Sequence, residues 1–191
     1  MLPRSLPAAV ALATLLAACK GPAVQHPMTN ETRYLCCNLH YEKPEISDAN
    51  YLKGTLIPFG TRVHVLEVRK NTVKFQAEGH PAITLVLKYG KDAIGMDQYL
   101  ELIFLREDPH AKLPKPGKDK KQAAAAERTR KLIEEGTVEP GMTKDEVVMA
   151  LGYPPAHRTP SLSSPNWTYW ANRWATFEVY FDGDKVSRVQ R

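Results

Sequence analysis

Apolar and polar residues alternate in the first half of the chain with the period of half-buried β-strands. Residues 72–77 carry an apolar side chain at every second position, and residues 83–87 repeat this pattern after a turn. A period of two predicts strands that lay one face on a core. Further strand-like runs span residues 34–41 and 55–68. We therefore predict a small β-rich domain over residues 32–110.

The period changes near the end of this domain, and one of its turns has a recognisable form. From Met96 to Phe104 the apolar residues recur at spacings of three and four, which predicts a short helix over residues 97–106. Earlier, Pro58 to Val65 reads PFGTRVHV, a turn that leads into an alternating run. This segment is similar to bacterial SH3-type barrels, and the resemblance implies an SH3-like barrel for this domain.

A second helix is encoded with its start, its buried face and its end. The Thr143 hydroxyl can accept a hydrogen bond from the Glu146 N–H, and the Glu146 carboxylate can accept one from the Thr143 N–H. Gly152 allows the left-handed turn that ends the helix, and Pro154 prevents its continuation. Three apolar residues at spacings of three and four share one face: Val147, Ala150 and Leu151.

This helix belongs to a module of mixed secondary structure. Residues 123–135 are strong helix formers and predict a preceding helix. Strand patterns follow at residues 167–170, 175–182 and 185–190, the last two joined by a short hairpin turn. The order helix, helix, strand, strand, strand predicts an α+β domain over residues 122–191. Two helices would cover a three-stranded antiparallel sheet.

Three motifs of this module stand in a characteristic order. They are Gly141-Met142-Thr143-Lys144-Asp145-Glu146-Val147 with Leu151-Gly152-Tyr153-Pro154, then Trp167-Thr168-Tyr169-Trp170, then Phe181-Asp182-Gly183-Asp184-Lys185-Val186. Together they resemble the SmpA/OmlA family of outer-membrane lipoproteins, which includes BamE-like subunits of the bacterial β-barrel assembly machinery. The resemblance implies the helix-and-sheet fold predicted above.

The same resemblance implies a protein-binding role in outer-membrane protein assembly or envelope integrity, with subunits of that machinery as partners. The candidate contact residues are Met142, Trp170 and Arg173. Alternation along the first strand places Trp167 and Tyr169 on one face and Trp170 on the other, and either set completes a core or contacts a partner. BamE-like subunits are usually little more than one such domain, whereas here a β-rich domain precedes it.

The N-terminus has the pattern of a targeting segment. Arg4 precedes an apolar run over residues 8–18 that is too short to span a membrane as a helix. Leu16-Ala17-Ala18-Cys19 resembles a bacterial lipobox, so residues 1–18 are predicted to be a signal peptide and Cys19 a lipid anchor. An ordinary secretory signal that contains a cysteine is the alternative. Residues 19–31 would form a tether.

The resemblance to processed lipoproteins also implies a location. Lys20 follows the predicted acylated cysteine, and sorting rules for such proteins then imply the outer membrane, with the domains on the periplasmic face. Residues 111–121 contain prolines and lysines and are predicted to link the two domains. Residues 112–131 hold eight basic and two acidic residues, a net charge of 8 − 2 = +6. This segment is either a solvated linker or a patch for anionic lipid.

The sequence offers little chemistry beyond binding. Cys36 and Cys37 are adjacent, and a vicinal disulfide, an intermolecular bond and two free thiols are all open. The histidines are scattered without metal-ligand spacing, and no phosphate loop or serine nucleophile turn is visible. We therefore predict no catalytic residue, no metal and no cofactor, and no nucleic-acid partner for an exported chain.

The first hypothesis is thus a non-enzymatic outer-membrane lipoprotein that acts as a protein-binding scaffold. A second is a cell-wall or peptide-binding module, in which the β-rich domain holds peptidoglycan. A third is an inhibitor-like binder of a secreted enzyme, since a helix-and-sheet module of this kind also serves that purpose.

Overall fold

A computed structural model describes residues 25–191 of the chain. The predicted signal peptide, Cys19 and the first part of the predicted tether lie outside the described residues. Among the residues that are described, no helix has both the length and the apolar character needed to cross a membrane.

The N-terminal unit, residues 25–112, is built around a mixed sheet of six strands. Its strands are β1 (Thr32–Leu35), β3 (Glu45–Ser47), β5 (Arg62–Arg69), β6 (Thr72–Ala77), β7 (Ala82–Val86) and β8 (Phe104–Leu105). They lie in the order β3-β7-β6-β5-β1-β8, and β3 alone pairs in parallel, with β7. A separate antiparallel ribbon joins β2 (Leu39–Tyr41) to β4 (Thr55–Ile57).

The alternation noted in the sequence places the apolar side chains of β5, β6 and β7 in one core. Val65, Val73, Phe75, Ile83 and Leu85 are all buried there. Helix α1 (Met96–Ile103) lays Leu100 and Ile103 into the same core before the chain passes into β8. A 3-10 turn, Pro109–Lys112, ends the unit.

The C-terminal unit, residues 120–191, contains two helices and a three-stranded antiparallel sheet. The helices are α2 (Lys120–Glu134) and α3 (Lys144–Leu151), and the strands are β9 (Asn166–Trp170), β10 (Thr176–Asp182) and β11 (Lys185–Gln190). The sheet order is β11-β10-β9, with hairpin pairing of β10 and β11. Ile133 of α2 and Val147 of α3 share one core with Trp167, Val179 and Val186 of the three strands.

Helix α3 begins and ends where the sequence predicts. The Thr143 hydroxyl accepts a hydrogen bond from the Glu146 N–H at 3.3 Å, and the Thr143 N–H donates to the Glu146 carboxylate at 2.7 Å. Gly152 follows the helix with φ of 84°, a conformation that side chains with a Cβ rarely adopt. A Cβ at this position would also lie 2.9 Å from Asn50 Nδ2, so the close approach of the N-terminal unit requires glycine as well.

The mixed α+β fold and the three-stranded antiparallel sheet are confirmed, but two predicted strands are wrong in extent. The run at residues 34–41 is split into β1 and β2 by Cys36-Cys37-Asn38, and the run at residues 55–68 is split into β4 and β5 by the turn at residues 58–61. Strand β3 was not predicted. The helix predicted over residues 97–106 ends at Ile103, and Phe104–Leu105 forms β8 instead. The SH3-like barrel is not confirmed, because the sheet is mixed and has β3 and β8 as its two edges.

Candidate binding groove at the junction of the two units

Asn38 connects the two units through its buried side-chain amide. Its Nδ2 donates to the carbonyl oxygens of Ile133 at 2.6 Å and Ala150 at 3.0 Å, and its Oδ1 accepts the Phe59 N–H at 2.6 Å. Ile133 and Ala150 stand in the last turns of α2 and α3, where carbonyl groups lack the regular helical partner. The Ile133 carbonyl also accepts the Gly136 N–H at 3.1 Å. One side chain from the N-terminal unit therefore caps both helices of the C-terminal unit.

Asn50 adds a second bridge beside the first. Its Nδ2 donates to the carbonyl oxygens of Leu151 at 2.9 Å and Asn38 at 3.0 Å, while its Oδ1 accepts the His40 N–H at 2.9 Å. Asn50 has φ of 42°, in the left-handed region that asparagine tolerates better than most residues. We call this pair, Asn38 and Asn50, the asparagine clasp.

Apolar contacts reinforce the clasp. Phe59 belongs to the N-terminal unit by sequence, yet it is buried in the core of the C-terminal unit. Val148 of α3 packs against both cores. The two units therefore meet through shared hydrophobic contacts as well as hydrogen bonds.

Trp170, at the end of β9, lies at the rim of this junction. Its carbonyl oxygen accepts the Leu52 N–H at 3.0 Å, which ties β9 to the N-terminal unit. Its ring meets Tyr51 edge-on at 6.0 Å between centroids, and the Arg158 guanidinium lies 5.6 Å from its centroid. The Trp170 Nε1 atom is buried and has no acceptor among the described residues.

Two further aromatic side chains extend this cluster. The His157 ring stacks on Tyr89 at 4.8 Å and faces Trp170 at 6.4 Å. The Tyr51 and Tyr89 hydroxyls are 3.0 Å apart, and the Lys88 ammonium lies 5.1 Å from the Tyr89 centroid. Burial is the main cause, and the hydrogen bond with Tyr89 the second, that raise the pKa of Tyr51 to about 12, so its hydroxyl stays protonated. Burial, helped by nearby Arg158, lowers the pKa of His157.

Tyr51 and Tyr89 of this cluster line an open groove of about 610 Å³. We call it the junction groove and define it by six of its lining residues: Lys43, Ser47, Tyr51, Lys88, Tyr89 and Arg173. Lys53, Glu42 and Glu45 also line it, and Lys53 pairs with Glu42 at 3.3 Å.

The charge of the junction groove is positive. Four cationic side chains and two carboxylates line it, a balance of 4 − 2 = +2. Lys43, Lys88 and Arg173 make no salt bridge within residues 25–191. Three unpaired cations around aromatic rings favour a ligand that carries negative charge and a flat or apolar surface.

The structure brings together two of the three predicted contact residues. Arg173 lines the junction groove, and Trp170 packs against Tyr51, which also lines it, on the face of β9 opposite the buried Trp167 and Tyr169. Met142 is different: it is only 3% exposed, and its sulfur accepts the Glu139 N–H at 3.4 Å. Its side chain therefore serves the core of the C-terminal unit and does not reach the surface.

Sequence reasoning missed Tyr51, Tyr89 and His157 as members of the site. Each stands alone in its own loop, and no local spacing marks it. Trp174, next to Arg173, is 89% exposed. Asn172 Oδ1 accepts the backbone N–H groups of Trp174 and Ala175 at 2.8 and 3.0 Å, which holds this hairpin tip in shape.

The sequence left three states open for Cys36 and Cys37, and in the structure their two sulfur atoms are bonded to each other. Both residues are buried, and they lie in the bend between β1 and β2, not within a strand.

Within residues 25–191 no three histidine, cysteine or acidic side chains are grouped so that they could hold a metal ion. The assembled chemistry at the junction is therefore that of rings, hydroxyls and cations, which suits binding.

Comparison with known proteins gave no match of the chain to a family model, a curated protein or a solved structure. The resemblance to the SmpA/OmlA family stays a prediction that depends on the three motifs.

Proposed function

We propose that this chain is an outer-membrane lipoprotein of the periplasmic face, anchored at Cys19, that binds an acidic segment of another envelope protein in the junction groove. It acts as a scaffold, by binding and without turnover. The SmpA/OmlA-like motifs support this proposal and make subunits of the β-barrel assembly machinery the first partners to test.

The observation that carries the proposal is the convergence of unpaired cations and aromatic rings at the junction. Lys88 and Arg173 come from different units, the Lys88 ammonium lies over the Tyr89 ring, and Trp170 packs against Tyr51. Aromatic and arginine side chains supply most of the energy of protein interfaces, and cations attract acidic partners from a distance. Because the asparagine clasp holds both units in one arrangement, these groups are already placed for binding.

The test is cross-linking in intact bacterial envelopes, followed by recovery of the partner. A photoreactive side chain at position 173 should capture a specific envelope protein that mass spectrometry identifies. Reversing two groove charges with Lys88→Glu and Arg173→Glu should lower the recovered partner at least tenfold, because both attractive charges become repulsive.

The matched control reverses two charges outside the groove, with Lys120→Glu and Lys121→Glu in α2. We expect this variant to recover the partner as well as the unaltered chain does. Equal loss in both variants would mean that general charge, and not the groove, governs recovery. Unchanged recovery by the groove variant would contradict the proposed site.

A second candidate is binding of cell-wall glycan in the same groove. The rings of Tyr41, Tyr51 and Tyr89 offer flat faces and hydroxyls, and the nearby cations suit the carboxylates of peptidoglycan. Sedimentation of the soluble protein with purified sacculi distinguishes the candidates. A glycan-binding protein sediments with sacculi that have been stripped of protein, whereas a protein-binding scaffold stays in the supernatant.

A further inference from the structure

A second depression has different chemistry from the junction groove. It runs between α1 with its preceding loop and the proline-containing segment that follows α3, and its volume is about 290 Å³. We call it the apolar slot and define it by six lining residues: Ile94, Tyr99, Leu102, Tyr153, Pro155 and Leu162. Leu162 at its rim is 45% exposed, which is unusual for so large an apolar side chain in this chain.

Two buried polar side chains in the wall of the slot are already engaged. Asp48 is only 8% exposed, and its carboxylate accepts the N–H groups of Lys88 at 3.0 Å, Tyr89 at 3.1 Å and Gly90 at 2.6 Å. Thr159 Oγ1 accepts the Thr168 N–H at 3.0 Å. A ligand in the slot would therefore gain mainly from the burial of apolar surface.

The described chain begins beside this slot. His26 lies at the start of α1, where its Nε2 is 3.2 Å from Asp97 Oδ1. The next residue, Gln98, lines both the apolar slot and the adjoining depression that contains Gln25 and His26. The N-terminal end of the described chain is thus tied to the same helix that forms one wall of the slot.

The length of chain before Gln25 brings Cys19 within reach. Six residue steps separate Cys19 from Gln25 (25 − 19 = 6), and an extended chain of that length spans at most about 20 Å. Helix α1 has eight residues and is only about 12 Å long. A group attached to Cys19 can therefore extend along α1 and enter the slot.

We propose that the apolar slot holds one acyl chain of lipid-modified Cys19. This inference rests on the proposed lipid anchor. Stable membrane attachment needs about two acyl chains, so a triacylated cysteine can place its third chain in the slot and stay anchored. The occupied slot would then hold α1 and its unit close to the membrane surface.

The capacity of the slot is tested on a soluble form in which a cleavable export leader replaces residues 1–19. All described helices and strands are kept. Octanoate, decanoate and dodecanoate are titrated by calorimetry, and we expect affinity to rise roughly fourfold for each added methylene while the slot fills. Ala156→Trp should abolish binding, because Ala156 lines the slot. Ala124→Trp, on the exposed side of α2, should leave binding unchanged.

Thermal unfolding of both tryptophan variants shows whether each one folds. The fatty-acid series is measured on the protein without a substitution, so misfolding of a variant cannot affect it. Failure of all three fatty acids to bind would overturn the inference, as would equal binding by the folded Ala156→Trp variant.

Occupancy in the native protein is tested on the full chain purified from bacterial membranes. A photoreactive leucine analogue at position 162 should cross-link to the Cys19 lipopeptide, and the same analogue at position 113, in the linker, should not. Mass spectrometry also reports whether Cys19 is acylated. An unmodified Cys19 overturns the proposed anchor and this inference together. An acylated Cys19 with no cross-link at position 162 overturns only the inference.

Discussion

At the scale of single residues, the asparagine clasp is the feature on which the arrangement of the two units depends. The side chains of Asn38 and Asn50 are both buried, and each binds backbone groups of both units. A buried amide with all its partners is stabilising, whereas its removal leaves several backbone groups unpaired away from water.

We expect Asn38→Ala to lower the free energy of unfolding by about 3 kcal/mol, because it leaves the Ala150 carbonyl and the Phe59 N–H buried without partners. Urea denaturation followed by tryptophan fluorescence measures this change. The control is Asn166→Ala, whose side chain makes one long hydrogen bond to Glu178, of 3.4 Å. That variant should change the free energy of unfolding by less than about 1 kcal/mol.

His40 gives the molecule a dependence on pH. Burial lowers its pKa from the ordinary value of 6.5, so the folded protein takes up this proton at lower pH than the unfolded chain. As pH falls below about 6.5, the unfolded chain binds more protons, and the free energy of unfolding decreases. His157 has a pKa lowered in the same direction.

We therefore expect His40→Gln to reduce the loss of stability between neutral pH and the lower pKa of folded His40. Urea denaturation at several pH values measures the slope. An unchanged slope in this variant would contradict the assignment.

At the scale of elements, helix α3 depends on its capping box. Thr143→Ala should lower the free energy of unfolding by about 1 kcal/mol, since the Glu146 N–H loses its acceptor. Thr143→Ser retains the hydroxyl and should restore most of the loss. Thermal unfolding of the three proteins distinguishes a capping effect, which serine rescues, from a loss of the Thr143 methyl group, which it does not.

The sequence predicted the elements whose signals are local. The capping residues of α3 lie three positions apart, and the alternation in β6 and β10 is complete within seven residues or fewer. Strands β3 and β8 escaped prediction because they contain three and two residues, too few to show a period. They form only because neighbouring strands offer an edge to pair with.

The junction groove was predictable only in part for a related reason. Trp170 and Arg173 stand in one hairpin and were selected from the sequence, whereas Tyr51 and Tyr89 reach them from distant parts of the chain. The asparagine clasp was not foreseen, because Asn38 finds its carbonyl partners 95 and 112 positions away. A local sequence pattern covers too few residues to include both Asn38 and its carbonyl partners.

At the scale of the whole molecule, the linker is the site where a protease should cut, and the clasp should keep the resulting fragments together. Residues 115–121 are mostly exposed and contain four lysines, so brief trypsin treatment should cut there first. Because the clasp and Phe59 hold the units together, we expect the two fragments to co-elute under native conditions and to separate in denaturant.

The Asn38→Ala variant checks this interpretation. After the same cleavage, its fragments should separate more readily under native conditions, since the two hydrogen bonds from Asn38 to the Ile133 and Ala150 carbonyls are missing. Native separation of the fragments of the unaltered chain would show that the junction is weaker than its contacts imply.

The clasp also bears on how freely related sequences can diverge. Its amides contact main-chain oxygens at the ends of α2 and α3, and every amino acid supplies such an oxygen. Substitution of the side chains at those helix ends is therefore compatible with an intact clasp, provided that the helices end at the same residues. The two asparagines cannot be replaced in this way. Relatives of this chain should therefore vary at the ends of α2 and α3 and retain Asn38 and Asn50.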